Sequence, residues 1–125
     1  MTAKRARLTR TSDFQRVYRQ GSSTASRFLV LHYFAQPAGG GAEPRLGLSV
    51  SKKLGGAVVR NRVKRLLREA FRACAERLPR DYDYVLIARP NLTELLDGPD
   101  KGAVPAAVRD VFDRAGLLQK GSPAS

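Results

Sequence analysis

The sequence predicts an α/β (α+β) two-layer sandwich with its elements in the order α-β-β-α-β-α. Three observations lead there. Three short runs rich in β-formers, Phe28–Phe34, Arg45–Ser51 and Tyr82–Ala88, interleave with stretches whose apolar residues recur at helical spacing. The chain has 125 residues, one domain's worth. Its hydrophobic fraction of 42% is too high for a disordered basic tail. The expected organisation is a single domain over 1–125, with an ordered core over about 8–118, a basic arm at 1–7 and a flexible tail at 119–125.

Each element has a local reason. Ser12 and Gln15 fit a capping box, after which Phe14, Val17 and Tyr18 share one helical face and Gly21 offers a stop. Phe28–Phe34 (FLVLHYF) reads as a strand buried on much of both faces. The stretch Pro37–Pro44 reads as a Gly-rich loop. Arg45–Ser51 (RLGLSVS) alternates cleanly, with Leu46, Leu48 and Val50 on one side and Gly47, Ser49 and Ser51 on the other. These two runs are expected to form an antiparallel hairpin with an expanded loop. Val63, Leu66, Leu67, Ala70, Phe71 and Cys74 then mark the buried stripe of the strongest helix, ahead of Pro79. Tyr82–Ala88 reads as a third strand. Val104, Val108, Val111, Phe112 and Ala115 mark the last helix, with Pro105 in its first turn and Gly116 closing it.

Charge narrows the function. The formal net charge is +12, far from neutral for a small domain and pointing to a polyanionic partner. Residues 52–80 carry ten basic and two acidic residues, whereas 81–125 carry five and seven. A single cysteine excludes an intrachain disulfide and a Cys-built zinc site. No segment approaches the roughly 18 apolar residues of a membrane span. The basic start lacks the apolar region of a secretory signal, so a cytoplasmic setting is expected.

The basic helix is the most informative motif. Arg60, Lys64, Arg68 and Arg72 recur every four residues and are expected to form one exposed row, with Asn61 and Arg65 beside it and Lys52 and Lys53 leading in. Arginine forks match phosphate oxygens, and a helix N-terminus favours anions. The bland alternative is a solvated amphipathic face, but such faces interleave Glu for i, i+4 pairing, and only Glu69 is acidic between 52 and 75. The small-residue face of Gly47, Ser49 and Ser51, walled by aromatic residues, suits unstacked bases, or else packs under a helix. Phe14 and Tyr18 likewise read as core or as ligand contacts.

No protein active site is legible, so no catalytic residue is expected on the protein. His32 is the only histidine, which precludes paired-His chemistry and a His-built metal cluster. Cys74 falls on the apolar stripe. Asp81 and Asp83 flank Tyr82 and read as solvated. The Lys52–Gly56 stretch lacks Walker spacing.

The stretch LGLSVSKKLGGAVVRNRVKRLLREAF (Leu46–Phe71) resembles the bacterial ribonuclease P protein component, as do LTRTSDFQRVYRQG (Leu8–Gly21) and YDYVLIARP (Tyr82–Pro90). The resemblance spans about residues 5–118, with three motifs in the right order. It implies a ribosomal protein S5 domain 2-like sandwich with a left-handed βαβ crossover through the basic helix, against the usual right-handed rule. It also implies that the chain is a cofactor subunit of an endoribonuclease whose catalysis resides in RNA. With magnesium (Mg(2+)) at the RNA active site and no metal on the protein, that RNA removes the 5′ leader of precursor tRNA. The implied partners are ribonuclease P RNA and precursor tRNA, not DNA or membrane.

By position, the resemblance assigns the catalytic RNA to Lys52, Lys53, Arg60, Asn61, Arg62, Lys64, Arg65 and Arg68. It assigns the single-stranded leader to a cleft on Phe14 and Tyr18, to which strand parity adds Phe28 and His32 and the small-residue face adds Ser49 and Ser51. Strand parity places His32, Val30 and Phe28 in the cleft and turns Tyr33 to the core. His32 stands where the family usually has Tyr; its imidazole can still stack, and it is able to carry charge near neutral pH. Gly56 stands where Asn is common. A ribosomal-type RNA-binding protein, a self-sufficient nuclease and a DNA-reading helix are the competing classes. The three motifs disfavour the first. The lack of an acid/base pair or metal cluster disfavours the second, and the absence of a helix-turn-helix pattern disfavours the third.

Overall fold

The run Tyr82–Ala88 (β4) is apolar at nearly every position, and the fold places it where both faces are covered. Asp83, Tyr84, Val85, Leu86 and Ala88 are all buried. The computed structural model describes residues 11–36 and 44–118. The elements are α1 (Thr11–Gln20), β1 (Ser22–Ala25), β2 (Leu29–Ala35), β3 (Arg45–Val50), α2 (Ala57–Cys74), β4, α3 (Thr93–Asp97) and α4 (Ala103–Arg114). Short 3-10 turns at Lys52–Leu54, Ala75–Arg77 and Pro90–Leu92 join them. The expected basic arm at 1–7, the loop at 37–43, the Ser12 cap and the tail at 119–125 lie outside the described residues and side chains.

The four strands form one sheet in the order β1-β2-β4-β3. This corrects the expected hairpin. β2 and β3 do not pair, because β4 stands between them, antiparallel to β2 and parallel to β3. Alternation assigns a strand's faces but not its neighbours. The long connection from β3 through α2 to β4 has the length that a parallel pairing needs. The actual hairpin joins β1 to β2, in register from Ser22 opposite Tyr33 to Ala25 opposite Val30. β1 reads SSTA and carries no apolar period, so sequence patterning did not mark it.

Helices α2 and α4 cover one face. The stripe of α2 buries Val63, Leu67, Ala70, Phe71 and Cys74, with Leu66 half-buried. α4 adds Val104, Val108, Val111 and Phe112. Tyr84 is fully buried among them, edge-on to Phe112 at 5.4 Å between ring centres, and its hydroxyl donates to the Pro79 carbonyl at 2.8 Å. Gly116 closes α4 with φ +76°. Its N–H donates to Asp113 at 2.9 Å, and Leu117 N–H reaches back to Phe112 at 3.1 Å, the paired bonds of a Schellman stop.

Helix α1 lies on the opposite face, against β2 and β4. Val17 and Val85 are its buried contact, with Phe14, Phe34 and Ile87 partly buried around them. Gly21 ends α1 for a steric reason. A Cβ there would stand 2.3 Å from the Tyr33 carbonyl oxygen and 2.6 Å from that of Val17. Only glycine lets the helix end press this closely on β2.

Candidate nucleic-acid interface

The interface begins with the turn that launches α2. β3 ends at Val50, and Ser51 Oγ accepts the Lys53 N–H at 3.2 Å. Gly55, at φ 143°, then redirects the chain. Gly56 caps α2 with no side-chain hydrogen bond, and no acid stands in the first turn. The exposed N–H groups and partial positive charge of this helix start are therefore not offset by a local carboxylate.

On α2 itself, Asn61, Arg62 and Arg65 are exposed, as are Lys52 and Lys53 ahead of it. Arg60, Lys64 and Arg68 are half-buried, and Arg72 is exposed. The expected row of Arg60, Lys64 and Arg68 is thus a flank rather than the crest. The crest follows Val58, Asn61, Arg62, Arg65, Glu69 and Arg72. The flanking residues lay their apolar stems along the protein surface while the charged heads reach out. Arg60 Nε is buried and finds no acceptor in the protein. Among the described residues, Arg60, Arg62, Lys64 and Arg65 form no ion pair.

The α1 side of the sheet holds the second group. Rows across the strands follow from the register. Ser23, His32, Val85 and Gly47 form one row, and Ala25, Val30, Ile87 and Ser49 the next. Tyr18 stands edge-on to His32 with ring centres 4.9 Å apart, and Phe14 lies 6.3 Å from Tyr18. Tyr18 is 40% exposed, a large amount for an aromatic ring beside a core contact. Burial pushes the Tyr18 hydroxyl up and the His32 imidazole down from their ordinary values. The lowered imidazole favours the neutral ring in this seat. Val30, Ile87 and Ser49 remain half-buried, so α1 does not close this face. Ser49 lies two strands from Val30, roughly 10 Å at ordinary strand spacing. It forms floor rather than a direct neighbour of the rings.

Two of the expected cleft residues sit elsewhere. Phe28 precedes β2, so strand parity does not reach it. It packs against the main core and lies under the Arg27 guanidinium at 5.4 Å. Ser51 lies beyond β3 and is exposed at the cap of the Lys52–Leu54 turn, between the sheet surface and the basic helix. Phe14, Tyr18 and His32 do come together, with Ser49 on the same face.

Two residues were missed. Arg89 follows Ala88, whose register partner is Val50, so it emerges beside Ser51 and the lysine turn. Its N–H donates to the Phe28 carbonyl at 2.9 Å. Asp83 was read as solvated but is 0% exposed. Arg45 grips it through Nε and Nη2, both at 2.8 Å, Gln36 donates at 3.1 Å, and Arg16 completes the cluster from α1. The available signal was an acid inside an otherwise apolar strand run, which is buried only when paired. Among the described residues, no three His, Cys, Asp or Glu side chains are grouped as a metal site, and no helix is long and apolar enough to cross a membrane.

A family model for Ribonuclease P matches residues 2–115. The chain belongs to the ribonuclease P protein family. It is 47% identical over 92 residues to the Ribonuclease P protein component of Bacillus pumilus, covering 74% of this chain and 76% of that one. It is 49% identical over 114 residues to that of Brevibacillus brevis, covering 91% and 86%. Among solved structures, it is similar to the Staphylococcus aureus RNase P protein (TM-score 0.79, 32% identity, 91% of this chain and 98% of the other). It is also similar to the Thermotoga maritima RNase P protein (TM-score 0.76, 30% identity, 86% and 96%). As a ribonuclease P protein component, the chain has a role in processing the 5′ end of tRNA and is a subunit of an endoribonuclease complex.

Proposed function

We propose that the chain is the RNA-binding cofactor of ribonuclease P, acting in the cytoplasm. It binds the catalytic RNA through α2 and the single-stranded 5′ leader of precursor tRNA through the α1 side of the sheet. The observation that carries this reading is the acid-free stretch 44–68, whose eight basic residues include the crest and flank of α2. Phosphates supply the acceptors that Arg60, Arg62, Lys64 and Arg65 do not find in the protein. Asn61 adds a neutral donor and acceptor for a sugar or base edge.

The second surface suits single-stranded RNA. Phe14, Tyr18 and His32 offer rings on which unstacked bases pile, and Ser49 offers a small polar floor. Lys52, Lys53 and Arg89 stand at the end of this face and would follow the leader's backbone toward α2. In this reading the protein contributes no catalytic residue. The Mg(2+) of the hydrolytic step is held by RNA, and the protein raises substrate affinity by holding the leader.

The test is cleavage of precursor tRNA by the cognate RNA at low magnesium, with and without the protein, using short and long leaders. The expected result is strong activation that grows with leader length. Activation independent of leader length would remove the leader assignment of Phe14, Tyr18 and His32. No activation would overturn the cofactor role.

A further inference from the structure

We infer that Asp83 is a positioning residue for the leader surface, acting through Arg16 to set the seat of α1; this rests on the reading of the α1 side given above. The inference starts from a buried acid with an excess of cations. Asp83 is 0% exposed, and its two oxygens accept four side-chain N–H groups. Oδ1 takes Arg45 Nε at 2.8 Å and Gln36 Nε2 at 3.1 Å, while Oδ2 takes Arg45 Nη2 at 2.8 Å and Arg16 Nη2. That fills the acceptor capacity of a carboxylate. The donors come from three places: Arg16 from α1, Arg45 from β3 and Gln36 from the residue after β2.

The placement ties this cluster to the rings. Asp83 shares its row with Phe34 and Arg45, and the next row on this face holds His32, Val85 and Gly47. Arg16 sits beside Val17, the fully buried anchor of α1 among its described side chains, and two residues from both Phe14 and Tyr18. Its guanidinium also lies over the Phe34 ring at 6.0 Å. A ten-residue helix is marginal alone. With Val17–Val85 the one fully buried contact among the described side chains of α1, the ionic clasp sets where α1 rests and so where Tyr18 meets His32. An aliphatic contact tolerates sliding, whereas the charge-assisted hydrogen bond from Arg16 Nη2 to a carboxylate already held by the Arg45 fork fixes direction.

Asp83→Asn and Arg16→Gln test this in the full-length chain and the reconstituted holoenzyme. Arg16→Gln is the safer variant, since Asp83 keeps Arg45 and Gln36 and the sheet stays clasped. Both variants are expected to lose the proton-proton contact between the Tyr18 and His32 rings in nuclear magnetic resonance spectra. Both should keep assembly with the catalytic RNA and cleavage of substrate with a one-nucleotide leader. Both should weaken binding of long-leader substrate on the order of tenfold, the worth of one base-ring stack. A simple fold defect would instead lower both substrates alike, and that result from Arg16→Gln overturns the inference. Retention of the Tyr18–His32 contact in Arg16→Gln also overturns it, whatever the leader does. Loss of the contact with leader dependence intact would show that α1 is seated by the clasp but does not serve the leader, which sinks the leader reading itself.

Discussion

The two faces of the sheet solve different problems with the same four strands. On the α2 side, Leu29, Leu31, Leu46, Tyr84 and Leu86 meet Val63, Leu67, Phe71, Val108 and Phe112, and the Tyr84 hydroxyl is bonded inside the core. On the α1 side, the buried apolar contact is Val17 on Val85, beside a buried carboxylate and half-exposed rings. The first face supplies the apolar burial that holds the domain folded. The second leaves aromatic and small polar surface available, because α1 is short and covers β2 and β4 more than β3. Because this face stays partly uncovered, the stability of α1 is carried by few contacts.

The largest effect that would test this contrast is Phe112→Ala. Phe112 is fully buried against Tyr84 and Phe71, and its truncation is expected to cost about 3–5 kcal/mol. Urea unfolding measures it, and the loss should appear as global unfolding with every amide losing protection together. Val17→Ala, on the other face, removes two methyl groups and should cost roughly 1–2 kcal/mol. Hydrogen exchange should then show protection lost in α1 while β4 keeps its own. Equal loss across both elements would mean the two faces fold as one unit, and the contrast would fail.

Arg65→Ala changes neither face. Arg65 is exposed on the crest of α2 and unpaired among the described residues, so stability should move by no more than about 0.5 kcal/mol. Affinity for the catalytic RNA should fall, and the slope of log affinity against log salt should drop by about one. An unchanged salt slope would take that arginine off the RNA surface.

The closed face was the legible one. The stripe from Val63 to Cys74, the α4 stripe and the inward side of β3 all follow from the periods 3.6 and 2. They are buried or half-buried as those periods require. What failed lies where patterning is silent: it speaks of faces, not of neighbours or of element ends. It paired β2 with β3 when β4 lies between them. It carried strand parity one residue too far, to Phe28, and one residue past β3, to Ser51. It missed β1, whose SSTA has nothing to bury, and it read Asp83 as solvated because its partners lie far off in sequence at Arg16, Gln36 and Arg45. On the open face, helical spacing grouped Phe14 with Tyr18 and strand parity turned His32 the same way, but only the family resemblance favoured a ligand role over a core one.

The smallest effect sharpens the contrast through pH. Burial lowers the His32 imidazole below its ordinary 6.5. The charged groups nearest its row are Arg16, Asp83 and Arg45, one row away, while its own contacts are the Tyr18 ring and its strand neighbours Ser23 and Val85. Below pH 6.5 a released His32 takes up a proton more readily than a seated one, so protons favour release. The contribution of the neutral ring is fully present above 6.5 and is lost as the pH falls from there through the lower folded-state value. Stability of α1 therefore rises with pH across that window. His32→Phe keeps a ring against Tyr18 but cannot titrate. Hydrogen exchange in α1 at about pH 7.5 and about pH 5.5, corrected for intrinsic exchange, should show the wild type losing protection at the lower value while His32→Phe does not. The α2 side holds no histidine, so its protection should be the same in both proteins at both values. Equal pH dependence of α1 in the two proteins would mean that His32 is not seated by Tyr18 as the structure has it.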